Sequence, residues 1–172
     1  MELKLKLATE FRHDGEACTD AKTEFKVIYL DVCTYCRPFD NQDALRIRLE
    51  TEAFYLILQH IQHNHYQSVV SPVHLKEIEA ISAIEERLLL KAQLEKFFCP
   101  VVDDKQAIRS RADYLYQLGF GIADAAHLAY AEVLADVFIS CDDKLLKKYK
   151  KEVTAKIIAV NPLEFVSSEE LQ

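Results

Sequence analysis

The sequence of 172 residues lacks the features that would place it in a membrane or in a secretory pathway. It contains no uninterrupted apolar run of roughly 18 residues, the length that a membrane-spanning helix requires. The segment MELKLKLATEFRHDGEACTD at its start has no apolar core of the kind found in signal peptides. We therefore expect a cytoplasmic protein without a membrane partner.

Glycine is scarce, and no disulfide framework is indicated. The five cysteines (Cys18, Cys33, Cys36, Cys99 and Cys141) are odd in number and lack the spacing of a disulfide framework, which indicates free thiols. A zinc site built from the last four would require distant parts of the chain to meet, so small buried hydrophobic residues are the simpler interpretation. Cys33 and Cys36 are similar to the redox dithiol of glutaredoxin-like folds, which makes a thiol-disulfide oxidoreductase one alternative. The chain has only three glycines, none near a glutathione-binding position, and this argues against that alternative.

Excess positive charge is also absent. The formal net charge is -7 and the isoelectric point about 5.4, which argues against a protein that coats nucleic acid. The basic residues are unevenly placed, and several crowd the segment after Asp142. Either this segment is the solvated face of an amphipathic helix, or it contacts phosphates through Lys144, Lys147, Lys148 and Lys151.

Strand and helix patterns alternate along the chain, which predicts one α/β domain of three α/β/α layers around a parallel sheet. The domain covers residues 25–166, after an extension of residues 1–24 and before a tail of residues 167–172. Apolar runs predict strands over 25–30, 68–70, 98–102, 136–141 and 155–160. Residues 31–40 are expected to form a loop. Periodic segments predict helices over 41–63, 72–96, about 104–118, about 122–135 and 144–151. Ser71 and Pro72 are expected to begin the second of these helices. In the third, Ile108, Ala112, Leu115 and Leu118 mark the buried face, and Gly119 is expected to end it in the left-handed conformation.

Four acidic residues fall at positions that predict burial. Asp31 and Asp142 each end an apolar strand, VIYL and VFISC. Glu77 shares a predicted helix face with Ile81, Ile84 and Leu88, and Asp124 shares one with Leu128, Ala131 and Ala135. A lone buried carboxylate costs several kcal/mol unless it is paired, protonated or bound to metal. Because ligands of such sheets bind beyond the carboxyl ends of the strands, we expect the four acids to converge on a metal there.

The motifs that carry these acids resemble those of the PIN domain, a fold of metal-dependent ribonucleases that includes many toxins of toxin-antitoxin pairs. The similar segments are VIYLDVC, SPVHLKEI, ADAAHLA, FISCDDKLL and the closing VNPLEF. The resemblance implies an endoribonuclease that hydrolyses single-stranded or structured RNA with Mg²⁺ or Mn²⁺. It also implies Asp31, Glu77, Asp124 and Asp142 as metal ligands and catalytic residues, with an antitoxin protein and a second copy of the chain as candidate partners.

One position departs from the pattern. Many PIN domains carry Asn two residues after the first aspartate, where this chain has Cys33. Thr34 and Ser140 are candidates to replace the amide in supporting the carboxylate. A catalytically weak RNA-binding or partner-binding module is therefore a further alternative. In the loop after Asp31, Tyr35 and Phe39 are candidates to stack on an unpaired base.

Overall fold

Four parallel strands form one sheet in the computed structural model, which describes residues 25–96, 105–154 and 156–172. The predicted extension of residues 1–24 and the predicted strand over 98–102 lie outside these ranges. The strands run in the order β2-β1-β3-β4. Their bounds are Lys26–Leu30 for β1, Tyr66–Ser68 for β2, Val137–Ile139 for β3 and Ile158–Val160 for β4.

Eight α-helices are present in the described residues, and the first is followed by a 3-10 turn over Arg37–Phe39. No described helix is both long enough and apolar enough to cross a membrane. The helices are α1 (Val32–Cys36), α2 (Leu45–Gln62), α3 (Pro72–Ala80), α4 (Ile84–Lys96), α5 (Lys105–Gln117), α6 (Ile122–Leu134), α7 (Asp143–Glu152) and α8 (Pro162–Ser168).

Helices cover both faces of the sheet, which confirms the predicted three-layer α/β/α class. Successive side chains of a strand point to opposite faces, so each strand contributes to two cores. Tyr29 and Phe138 pack with buried residues of α5, α6 and α7 on one face. Ile28 and Leu30 pack with buried residues of α2, α4 and α8 on the other.

The prediction of a single helix over residues 72–96 is wrong, because two helices, α3 and α4, occupy this segment. Ile81 leaves the helical conformation, with φ -66° and ψ 122°. Glu85 lies in the first turn of α4, where the helix dipole favours a carboxylate. Because of the break, the buried face that was predicted to join Glu77 to Ile84 and Leu88 does not form. Ile84 is 64% exposed and Leu88 is 60% exposed.

Three further elements differ from the prediction. Residues 31–40 form α1 and the 3-10 turn instead of a loop, because Val32 and Tyr35 are drawn into the core. The strand predicted over 68–70 lies two residues earlier, although Val69 and Val70 are buried just beyond its end.

The last helix, α8, was not predicted. Asn161 and Glu164 form a capping box in which each side chain accepts a hydrogen bond from the other's backbone N–H. Pro162 occupies the first turn, where its missing N–H costs nothing. Since α8 extends to Ser168, it continues past residue 166, the predicted end of the domain.

Local signals were reliable where the chain changes direction. Ser71 caps α3 with Pro72 directly after it, as predicted. Gly119 has a φ of +83°, the left-handed conformation expected after α5. Ile108 and Leu115 are buried, which confirms the predicted inner face of α5.

Glu50 of α2 is the centre of a buried ion-pair network beside the ends of β1 and β3. Its carboxylate is fully buried and lies 2.7 Å from Nε of Arg37 and 2.8 Å from Nε of Arg46. Arg46 in turn binds both carboxylate oxygens of Asp143. The network therefore connects the 3-10 turn, α2 and the start of α7.

The substitution Glu50→Ala is expected to lower the free energy of unfolding by about 3 kcal/mol, because it leaves Arg37, whose side chain is only 20% exposed, with Asp40 as its one remaining carboxylate partner among the described residues. Urea unfolding followed by circular dichroism measures the change. Glu52→Ala is the matched control, since Glu52 is exposed on the same helix. Equal effects of the two substitutions would contradict a structural role for the network.

Candidate metal centre

The candidate site lies where β1 and β3 end side by side. Leu30 is paired with Ile139 in the sheet, so Asp31 and Ser140 follow at neighbouring positions. The backbone N–H of Asp31 donates to the carbonyl oxygen of Ile139 at 2.9 Å. Because β1 is followed by β2 on one side and β3 by β4 on the other, this is the point where the strand order reverses, the usual ligand position in such sheets.

Asp31 is almost fully buried and receives hydrogen bonds at one oxygen. Its Oδ2 accepts from Oγ of Ser140 at 2.7 Å and from Sγ of Cys33 at 3.1 Å. Of the two candidates for supporting this carboxylate, Ser140 contacts it, whereas Thr34 donates to the carbonyl oxygen of Ile139. A hydroxyl and a thiol thus support Asp31 at the position where an amide was expected.

Glu77 and His127 complete a triad with Asp31. Nε2 of His127 lies 2.7 Å from Oε2 of Glu77 and 3.9 Å from Oδ1 of Asp31. One potential ligand atom of each residue lies within 4.8 Å of the other two. The hydrogen bond with His127 is the main reason why the pKa of Glu77 lies below its usual value. The carboxylate of Glu77 is therefore ionised at neutral pH.

A buried hydrogen-bond chain extends from the far side of His127. The hydroxyl of Tyr29 lies 2.7 Å from Nδ1 of His127 and 2.7 Å from Oγ of Ser71. The backbone N–H of Ser71 donates to Nδ1 of His74, and Nε2 of His74 lies 2.7 Å from the carbonyl oxygen of Leu30. Burial lowers the pKa of His74 to about 4, so its imidazole is neutral at pH 7.

Asp124 lies in the first turn of α6 and is half-buried. Its pKa is raised, first by burial and then by the negative charges of Asp31 and Asp142, with a smaller contribution from Glu77. The four predicted acids therefore share one electrostatic neighbourhood. Asp124 also explains why residue 121 is glycine. A Cβ at this position would lie 2.9 Å from Oδ2 of Asp124 and would force the carboxylate to move.

Asp142 is exposed, so the burial expected at the end of its strand is wrong, and the residue has a structural role. It is the N-cap of α7, and its Oδ1 accepts from the backbone N–H groups of Lys144 at 2.8 Å and Leu145 at 3.0 Å. Its own N–H donates to Oγ of Ser140, the hydroxyl that also binds Asp31. One serine thus connects the two strand-end aspartates.

The triad has a donor set that could hold a divalent cation. Two carboxylates and an imidazole nitrogen converge within 4.8 Å, and two of the three residues are buried. Mg²⁺ prefers oxygen ligands only, whereas transition-metal ions also accept imidazole. Asp31 and Glu77 belong to this set as predicted, and Asp124 and Asp142 lie around it.

Sequence reasoning missed His127, although a signal was present. In ADAAHLA it lies three positions after Asp124, and residues at this spacing share a helix face. Its polar side chain within an apolar helix was the available signal. Tyr29 carried no comparable signal, because a tyrosine in an apolar strand is typical of a core.

The surroundings of Cys33 and Cys36 argue against the alternative function of a thiol-disulfide oxidoreductase. The pKa of Cys33 is raised well above its usual value, first by a hydrogen bond with Cys141 and then by burial. Burial raises the pKa of Cys36 to about 12. Since the thiolate is the nucleophile in disulfide exchange, these thiols are poorly suited to it. Sγ of Cys33 accepts from the backbone N–H of Cys141 at 3.3 Å, and Cys99 lies outside the described residues.

The predicted basic residues of α7 differ in their surroundings. Lys144, Lys147 and Lys151 are exposed. Nζ of Lys148 donates to the carbonyl oxygen of Gly119 at 2.7 Å and lies 4.8 Å from the centroid of the Phe120 ring. Lys148 therefore holds the turn between α5 and α6, which leaves the other three as the better candidates for phosphate contacts.

The prediction that Tyr35 stacks on an unpaired base is wrong, because its ring is fully buried. It packs edge-on against Phe54 and His74, with ring centroids 5.6 Å and 6.1 Å away. Phe39 is only partly buried and packs at the edge of the same core. Helix formation in this segment turns Tyr35 inwards, which a loop assignment could not anticipate.

The raised pKa of Asp124 means that its ionised form destabilises the folded state, so this penalty is absent at low pH and grows as the pH rises through that pKa. In chelator at pH 7, Asp124→Asn is expected to leave the melting temperature unchanged or to raise it. The advantage should shrink in acid. Mn²⁺ at a hundredfold excess over its dissociation constant should stabilise the wild type by about 2.7 kcal/mol, or roughly 5 to 10 °C.

Thermal melts of both proteins with and without Mn²⁺ measure these effects. The metal-induced shift should be smaller in the variant than in the wild type. A wild type that does not respond to Mn²⁺, together with a clearly destabilised variant, would contradict a shared carboxylate site.

Comparison with known proteins assigns no family to the chain. No family model, no curated protein and no solved structure matches it. The function is therefore argued from the residues and geometry of the site.

Proposed function

We propose that this protein is a divalent-metal-dependent endoribonuclease that hydrolyses phosphodiester bonds of single-stranded or structured RNA. The observation that carries the proposal is the convergence of Asp31, Glu77 and His127 within 4.8 Å at the switch point of a parallel sheet. The charges of Asp31, Asp142 and Glu77 all raise the pKa of Asp124, so negative charge is gathered at this edge of the sheet. The motifs similar to those of PIN domains support the same reaction.

The residues divide into those that hold the cation and those that contact water or substrate. Asp31 and Glu77 hold the cation, with His127 as the third candidate ligand. When bound, Mg²⁺ or Mn²⁺ supplies charge neutralisation at the phosphodiester and lowers the pKa of a water molecule. Asp124 is half-buried with a raised pKa, so its carboxylate is suited to orient the attacking water and to accept its proton.

The surface beside Asp142 is suited to an RNA backbone. An open depression of about 410 Å³ is lined there by Cys33, Arg37, Cys141, Asp142, Asp143 and Lys144. Lys144 stands at the first turn of α7, and Lys147 follows one turn later on the same side. Phosphates bound by these residues would place the RNA next to the triad.

One alternative has a distinct consequence. A catalytically weak RNA-binding module is favoured by Cys33, since a thiol replaces the amide beside Asp31. Such a module would bind RNA without cleaving it. A role as a toxin with an antitoxin partner, and a homodimer, stay predictions that the assays below do not require.

Purified protein is expected to cleave single-stranded RNA with Mg²⁺ or Mn²⁺ and to lose this activity in chelator. Asp31→Asn should lower the rate at least about a hundredfold, because an amide is a poor ligand for a hard cation. The measurement is gel-based cleavage of a labelled RNA by freshly purified wild type and variant.

Asp136→Asn is the matched control for this assay. Asp136 directly precedes β3 at the opposite end of that strand, where its carboxylate accepts from the backbone N–H of Val27 at 2.7 Å. The control should retain the wild-type rate. Metal-independent cleavage, or equal rates for Asp31→Asn and wild type, would refute the nuclease. RNA binding without cleavage would favour the weak module.

The double substitution Lys144→Gln with Lys147→Gln is expected to weaken RNA binding and to reduce its salt dependence. Each lost phosphate contact lowers the slope of log affinity against log salt by roughly 0.7 on single strands. Titrations at several salt concentrations with the metal-free protein measure the slope.

Lys150→Gln with Lys156→Gln removes the same charge elsewhere. Those lysines line a different depression, next to Ala135 and Asp136 at the other end of the sheet. This control should leave the slope near its wild-type value. Equal changes in the two double variants would show that only net charge matters.

A further inference from the structure

His127 contacts an acidic residue at one ring nitrogen and a hydroxyl at the other. Nε2 lies 2.7 Å from Glu77, and Nδ1 lies 2.7 Å from the hydroxyl of Tyr29. The imidazole is 2% exposed, so water cannot replace either partner. A neutral imidazole carries one proton, so one nitrogen donates while the other accepts.

The far end of the buried chain has a fixed polarity. The backbone N–H of Ser71 can only donate, so Nδ1 of His74 accepts. The carbonyl oxygen of Leu30 can only accept, so Nε2 of His74 carries the proton. Between the two imidazoles, only the hydroxyl protons of Tyr29 and Ser71 are free to rotate.

These hydroxyls allow two arrangements of the chain, which differ in whether Nε2 or Nδ1 of His127 carries the proton. In one, Ser71 donates to Tyr29, Tyr29 donates to Nδ1 of His127, and the Nε2 proton of His127 is donated to Glu77. In the other, Nδ1 of His127 donates to Tyr29, Tyr29 donates to Ser71, and Ser71 donates to Nδ1 of His74 across 3.1 Å.

The second arrangement leaves the Nε2 lone pair of His127 directed towards the carboxylates of Glu77 and Asp31. This is the state that a metal-binding imidazole requires, with its other nitrogen held as a donor by a hydrogen-bond partner. The chain supplies that partner without leaving a buried polar group unpaired, which would otherwise cost free energy. The sequence thus builds a histidine that can change tautomer inside the core.

We propose that His127 is a nitrogen ligand of the cation and that Tyr29 positions it by accepting a hydrogen bond from its Nδ1–H. The site therefore prefers Mn²⁺ to Mg²⁺. The inference rests on the proposed function only in using the same cation site. An imidazole ligand adds more to the affinity for Mn²⁺ than to that for Mg²⁺, because Mg²⁺ favours oxygen ligands and keeps its waters.

The test is calorimetric titration of the full chain with Mn²⁺ and with Mg²⁺ in the absence of RNA. His127→Asn is expected to weaken Mn²⁺ binding about tenfold or more and Mg²⁺ binding less than about threefold. Tyr29→Phe keeps the ring but removes the hydroxyl, and it should weaken Mn²⁺ binding about tenfold. It also keeps the test decisive if His127→Asn does not fold.

Tyr35→Phe is the matched control, because Tyr35 is as buried as Tyr29 and also contacts His74, while its hydroxyl is not part of the chain. It should leave both affinities unchanged. Equal loss of the two metals in His127→Asn, or the same affinities in Tyr29→Phe and Tyr35→Phe, would overturn the inference.

A second readout separates positioning from general damage to the fold. Imidazole ¹⁵N shifts, recorded with diamagnetic Zn²⁺ as the probe ion, should show His127 protonated at Nδ1 in the wild type. A proton at Nε2 in the metal-bound protein would overturn the inference. Because these measurements contain no RNA, a protein that prefers Mn²⁺ but cleaves nothing refutes the nuclease alone. Cleavage by a protein that binds both metals equally overturns the inference alone.

Discussion

The parallel pairing of β1 with β3 is the constraint on which the site depends. It sets Asp31 beside Ser140, although 108 residues separate them, and so brings together two strand ends that lie far apart in the sequence. The hydroxyl of Ser140 then contacts both Asp31 and the backbone of Asp142. A slip of one residue in this register would turn each side chain of β3 to the other face, and these contacts would be lost.

Charge compensation is distributed unevenly around that pairing. Glu50 is fully buried but lies between Arg37 and Arg46, whereas Glu77 has a hydrogen bond with the His127 imidazole. Among the described residues, Asp124 has no arginine or lysine partner, and its pKa is raised by burial and neighbouring carboxylates. The fold therefore neutralises the acids next to the site and leaves the site itself negative. This is the distribution that a divalent cation would balance.

The elements that depend on local chemistry could be predicted from the sequence, and those that depend on distant partners could not. The apolar runs of β1 and β3, the Ser71 cap and the left-handed Gly119 are local, and the structure has them. The break after α3 was missed because helix periodicity continues across it, while the acidic first turn of α4 was not weighed. His127 was missed because its partners, Tyr29 and Glu77, come from other segments and meet it only in the folded sheet.

Two of the polar residues of α6, Asp124 and His127, show how one helix can give the site an inner and an outer side. Asp124 and His127 are almost one turn apart on the same face, yet the first is half-buried and the second is closed off from water. Nδ1 of His127 contacts Tyr29 within the core and Nε2 contacts Glu77, whereas Asp124 lies close enough to Asp142 for that charge to raise its pKa. In the proposed nuclease, the inner residues fix the cation and the outer carboxylate meets water and RNA. The depth of each residue on α6, more than its identity as an acid or a base, then determines its role.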